Sequence, residues 1–195
     1  MSAASFSSSP LWFTTRSTGV VAFLLLTLSL ALGVAATQRA LATPRWPRFA
    51  TQDLHRNLSM LGLLVLLVHI STTIIDSYVD IGWWAMIIPG VSPYDRFGVA
   101  LGTTAFDVLI VVAVTGFLKL RMTARLWRRI HWSAYLAWPV ALIHFLMTGT
   151  DASHGRWGLW LALASIVPVA VAVVVRVRTD DRPRGPLRSV TGGPA

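Results

Sequence analysis

Five runs of apolar residues, each long enough to cross a bilayer as a helix, leave this chain few ways to fold. They cover about 19–36, 54–75, 97–120, 130–147 and 157–177. Backbone N–H and C=O groups in lipid must be satisfied internally, so such runs are helices or the strands of a closed barrel. None of them alternates apolar with polar residues as barrel strands do. The expected fold is all-α: a polytopic transmembrane bundle of about five spanning helices. Charged residues make up 13% of the 195, well below the roughly 25% of a soluble domain, which agrees with that class.

The length suits one bundle. The expected organisation is an N-terminal tail over 1–18, a membrane domain over 19–178, and a disordered basic cytoplasmic tail over 179–195. The first run could be mistaken for a secretory signal, with Ala40-Leu41-Ala42 as a cleavage site, but it is long for one and is expected to remain as a span.

The net charge of +9 suggests nucleic acid at first sight. The basic residues instead sit in short connections between apolar runs, where they set membrane topology. Arg39, Arg45, Arg48 and Arg56 surround the first connection, Lys119 to Arg129 fill the third, and Arg176 to Arg188 follow the last run. The opposite side carries Arg16, Arg96 and Arg156 together with Asp76, Asp80, Asp95 and Asp151. The positive-inside rule then predicts an outside N-terminus and a cytoplasmic C-terminus. The expected location is a bacterial cytoplasmic membrane, with lipid and no nucleic acid as partner. The chain has no cysteine, which excludes disulfides, thiolate-held iron–sulfur clusters and covalent haem attachment.

Four of the five histidines lie in apolar runs. His55 and His69 are 14 residues apart on the second, and His131 and His144 are 13 apart on the fourth. Each interval is roughly 20 Å along a helix. One span intervenes, so the two helices run parallel, and His55 comes level with His131 and His69 with His144. Imidazole is a good iron ligand, and ionisable groups at this depth are rare without a role. Two stacked bis-histidine haems, held between parallel helices 2 and 4, are therefore expected. A spacing of 14 returns to within about 40° of one helix face, whereas 13 leaves about 140°. Pro139 lies in that interval and could kink or rewind the helix.

Other residues leave alternatives open. Asp107, in mid-span, either hydrogen-bonds a Ser, Thr or Trp, or serves a proton-linked role. His154 is a solvated loop residue or a ligand for an outer acceptor or metal. Arg56, Arg128 and Arg129 either pair with haem propionates or only set topology. The segment around Trp83, Trp84, Ile87 and Ile88 is an interfacial anchor or a lid over an outer site.

Leu54-His55-Arg56-Asn57 with His69, Arg129-Ile130-His131-Trp132 with His144, and the run Phe145 to Asp151 resemble the ferric-reductase-like transmembrane domain family. The resemblance covers about 40–178. That family includes NADPH oxidases, ferric-chelate reductases and the membrane subunit of bacterial periplasmic methionine sulfoxide reductase. It implies two b-type haems with His55, His69, His131 and His144 as axial ligands of the iron. Larger members continue into a cytoplasmic flavin and nucleotide module, for which this sequence has no motif. The implied function is transmembrane electron transfer, from a cytoplasmic flavoprotein or quinol to an extracytoplasmic ferric complex, flavin-bearing protein or reductase partner. Arg56 and Arg129 are the implied propionate partners, and any flavin or quinone would come from a partner or the membrane. The alternatives are a quinone-linked cytochrome b subunit and a haem-free structural or transport subunit.

Overall fold

The computed structural model describes residues 10–37, 47–76, 79–149, 152 and 157–180. Among them it is all-helical apart from the connections, with no strand. The helices are α1 (Pro10–Thr37), α2 (Arg48–Ile75), α3 (Arg96–Phe117), α4 (Ala124–Trp132), α5 (Ala134–Thr148) and α6 (Trp157–Asp180). Five spans are long and apolar enough to cross a membrane, with α4 and α5 together forming the fourth. The chain is a multi-pass membrane protein.

Helix α1 begins at Pro10, so half of the expected tail over 1–18 is helical. Proline suits a first helical turn because its missing N–H would have no intrahelical partner there. Thr14, Ser17 and Thr18, which follow, are tolerated because their hydroxyls bond back to the helix. Thr14 donates to the Pro10 carbonyl and Thr18 to the Thr14 carbonyl, at 2.8 and 2.6 Å. At the other end α6 runs to Asp180, just past the expected boundary, and 181–195 lie outside the described residues.

The fourth span breaks at Ser133 rather than at Pro139, which sits inside the continuous helix α5. At the break, Ser133 N–H bonds the Ile130 carbonyl and Leu136 N–H bonds the Ser133 carbonyl, both at 2.9 Å. These are three-residue steps, which turn the chain by about 120° per residue instead of 100°. The tightening advances rotation between His131 and His144 in the sense that a 13-residue interval needs.

Packing is pairwise. Helix α1 lies along α2, α3 lies along α5, and α1 joins the pairs through α5 and α6. His55 meets Gly33 and His69 meets Gly19, so α1 and α2 are antiparallel. Phe23 stacks on Phe145 at 5.3 Å, and Trp138 Nε1–H donates to Thr27 Oγ1 at 2.9 Å, so α1 and α5 are antiparallel too. Helices α2 and α5 therefore run parallel. Among the described residues α2 makes no extended contact with α3, α4 or α5, and none of its most apolar stretch is buried.

The same topology gathers Arg56, Lys119, Arg125, Arg128, Arg129 and Arg176 at one end and Asp76, Asp80 and Asp95 at the other. At the acidic end a short 3₁₀ turn, Trp83–Met86, is fastened by Thr103 Oγ1 donating to the Ala85 carbonyl. Trp83 and Trp84 remain about 70% exposed, as interfacial anchors do.

The buried bond between Thr27 and Trp138 joins the two helix pairs. Thr27→Val leaves the Trp138 N–H without an acceptor and is expected to lower stability in detergent by about 1–3 kcal/mol. Trp138→Phe in the Thr27→Val background should cost less than it does in the wild-type background, and a thermal-unfolding double-mutant cycle measures this.

Candidate functional site: two levels of histidines

One arrangement holds three of the four histidine rings. His69 Nδ1–H donates to the Thr15 carbonyl at 2.9 Å. His55 Nδ1–H donates to the Ser29 carbonyl and His144 Nδ1–H to the Gly98 carbonyl, both at 2.8 Å. Each acceptor lies within a helix, so its first lone pair serves the N–H four residues ahead and the imidazole takes the second.

The residue four positions ahead is glycine every time: Gly19, Gly33 and Gly102. A Cβ on these glycines would stand 2.9, 3.1 and 2.6 Å from the Cε1 of the ring it faces. The missing side chain is what lets the ring reach the carbonyl. We call each carbonyl with its glycine a socket.

With Nδ1 carrying the proton, Nε2 of the neutral ring keeps its lone pair for a metal. Around His55 the hydrogen bonds form a circuit. Ser59 Oγ–H donates to the His55 carbonyl at 2.7 Å, and this directs Ser29 Oγ–H to Ser59 Oγ at 2.6 Å. Ser29 Oγ is then left to accept from His55 Nδ1–H, at 3.2 Å.

The histidines meet in two levels. His55 and His131 have ring centres 6.2 Å apart, with planes at 86°. His69 lies against Thr15 and Gly19, and His144 precedes Phe145, which stacks on Phe23, so these two lie towards the same end of the bundle. Phe23, Thr27 and Trp138 pack between the levels. Two imidazoles bonded to one metal from opposite sides at about 2.0–2.1 Å would place their ring centres about 6.2–6.4 Å apart. His55 and His131 thus stand near one another at one level, within reach of a single metal once the His131 ring turns. Among the described residues no three His, Asp or Glu side chains gather as a bare metal-ion site. Two imidazoles per level suit a metal whose remaining donors come with it, as they do in a haem.

His131 differs from the other three. It stacks on Trp127 at 4.9 Å and 19°, and its Nδ1 has no hydrogen bond among the described residues. The buried Trp127 Nε1–H also lacks an acceptor. Lys119 Nζ lies 4.8 Å from the Trp127 ring. A buried donor beside a cation is a fitting place for a carboxylate such as a propionate.

The arginines and the aspartate stand differently. Arg56 is largely exposed and pairs with Asp53 at 3.5 Å, and Arg129 is exposed. Arg176 donates to the Tyr135 hydroxyl at 2.9 Å near the same end. Asp107 is half-buried, and no hydrogen bond reaches its carboxylate among the described residues, so the expected Ser, Thr or Trp partner is not there. His154 and Asp151 lie outside the described residues. At the acidic end, a pocket of about 370 Å³ opens between the end of α2 and the chain up to Trp83, with Asp76 and Asp80 in its wall.

A family model described as "Domain of unknown function (DUF8596)" matches residues 10–151. The chain belongs to this family. The DUF8596 match spans α1 to α5, and so takes in all four histidines and all three sockets. No curated protein and no solved structure matches the chain.

Sequence reasoning singled out the histidines and passed over the glycines. The signal was present: Gly19 and Gly33 are 14 residues apart, the interval that separates His55 from His69. Alanine in place of a mid-helix glycine normally stabilises by roughly 0.5–1 kcal/mol. Gly102→Ala should do the reverse here and lower stability by about 1–3 kcal/mol, because the His144 ring must leave its carbonyl. The unfolding midpoint in detergent gives the sign directly.

Proposed function

We propose that this chain is a transmembrane electron conduit. His55 with His131, and His69 with His144, are the axial ligands of two b-type haems at different depths. The observation that carries the reading is the pair of histidine levels in which three rings are tied through Nδ1 to a helix carbonyl, leaving Nε2 for iron. Bound haem supplies a one-electron carrier, and two at different depths divide the apolar layer into shorter electron-transfer distances.

The chain's own residues would do the rest. The carbonyls of Thr15, Ser29 and Gly98 hold the tautomer and plane of their rings and make them stronger ligands. The side of α2 left uncovered by α3 and α5 offers room for a flat apolar group between the ligand helices. Phe23, Trp138 and Phe145 would keep water from the space between the levels. The Trp127 N–H and Lys119 are suited to a propionate at the basic end.

The arginine-rich end would face the cytoplasm and an electron donor, either a flavoprotein or a quinol. The Asp76 and Asp80 end would face an extracytoplasmic acceptor. One electron passes for each one donated, and the conduit makes and breaks no bond of its own. The ferric-reductase-like resemblance belongs to this proposal and rests on the His spacings of 14 and 13. Placement in a bacterial inner membrane rests on the arginine distribution.

Protein purified from haem-replete cells should carry two haems per chain, read from reduced-minus-oxidised absorbance and haem extraction. His69→Ala or His144→Ala should leave about one, and His55→Ala or His131→Ala should remove the other. A well-folded, colourless protein, or four variants with wild-type haem content, would end this reading.

A further inference from the structure

Three sockets serve three histidines, and α3 carries a like pair that no histidine fills. Its carbonyl accepts Thr115 Oγ1–H at 3.1 Å, as the Thr15 carbonyl accepts Thr18 Oγ1–H at 3.2 Å beside His69. The occupied sockets pair a carbonyl with a glycine four residues on: Thr15 with Gly19, Ser29 with Gly33, and Gly98 with Gly102. On α1 the two sockets are separated by 14 residues, and α2 repeats that interval between His69 and His55. Counting 14 on from the α3 socket gives Val112 with Gly116.

Gly116 has open space where its Cβ would point, with nothing within 4 Å. Gly116 lies in the last turn of α3, and its φ is not positive, so the backbone conformation does not call for a glycine there. Meanwhile His131 is the one ligand-helix histidine whose Nδ1 lacks a carbonyl among the described residues. It belongs to α4, which packs on α3.

We propose that the Val112 carbonyl and Gly116 form the socket of His131, filled when a haem occupies the His55 level. This rests on the reading of the four histidines as haem ligands. In that state His131 Nδ1–H donates to the Val112 carbonyl, and the ring lies over Gly116 as His144 lies over Gly102. To reach it the imidazole leaves its stack on Trp127. The hinge is the tightened turn at Ser133, where α4 ends and α5 begins, so α4 can roll on α3 while His144 stays in its own socket. Val112 and Gly116 are positioning residues: they touch the ligand and not the iron.

The test uses full-length, haem-loaded protein with Gly116→Ala and Gly116→Val. A Cβ at 116 meets no atom within 4 Å in the structure described here, and both alanine and valine are better helix formers than glycine, so both variants should fold. The readouts are haem per chain, the low-spin ferric electron paramagnetic resonance signals and the two midpoint potentials. His131→Ala identifies the signal that belongs to the inner level.

Alanine at 116 is expected to shift that signal and its potential. Valine is expected to take the protein from two haems per chain towards one, with the signal of the His69 and His144 level unchanged in both. Two haems and wild-type signals in both variants would overturn the fourth socket alone. Wild-type protein without haem would overturn the reading beneath it, and the socket with it.

Discussion

The bond from an imidazole Nδ1–H to a carbonyl inside a neighbouring helix is the interaction on which the rest of this structure depends. Such a bond contributes modestly to stability, about 0.5–1.5 kcal/mol. Its larger effect is to fix direction. A histidine side chain has two torsions and two nitrogens, and one hydrogen bond settles both the plane of the ring and which nitrogen is left with a lone pair. The carbonyl can accept it only because a helical C=O has a second lone pair and the residue four ahead has no side chain in the way.

That interaction gives every helix of the first two pairs a task. Helices α2 and α5 bring histidines, while α1 and α3 bring the carbonyls that orient them. Helix α1 serves both rings of α2, so one rigid element sets the spacing of two sites. Each pairing is antiparallel, and this brings α2 and α5 parallel to one another and their histidines level. The lipid-facing side is apolar almost everywhere, as Leu61, Leu64, Trp160 and Val167 illustrate, so the polar chemistry is confined to the interior and the two ends.

Much of this was legible in the sequence. The five spans follow from apolar length alone, and the levelling of His55 with His131 follows from intervals of 14 and 13 with one span between. The start of α1 was missed because Thr14, Thr15, Ser17 and Thr18 look like a polar tail. The hydroxyls of Thr14, Ser17 and Thr18 return to the helix backbone and erase most of that polarity, while that of Thr15 is buried without a partner. Pro139 looked like the obvious place for a break, yet the tightening falls at Ser133, one turn and a half earlier. Arg56 pairs with Asp53 three residues before it, a contact that its position beside His55 did not suggest. The glycines were hardest to read, because small residues are common in membrane helices for packing reasons alone. Only their interval distinguishes them, and it gains meaning once a histidine is seen above each.

The sockets also make this a protein whose helices are ruled at a fixed length. A one-residue insertion between Gly19 and Gly33 would turn one of them about 100° and lift it about 1.5 Å relative to the other. The His55 and His69 rings could not then both keep a carbonyl, even though every residue type in the helix was unchanged. The connections between helices bear no such rule. Divergence among chains of this build is therefore expected to appear as loops of many lengths joining helical intervals that do not vary, and an alignment of them would show its gaps between the spans and none between the glycines.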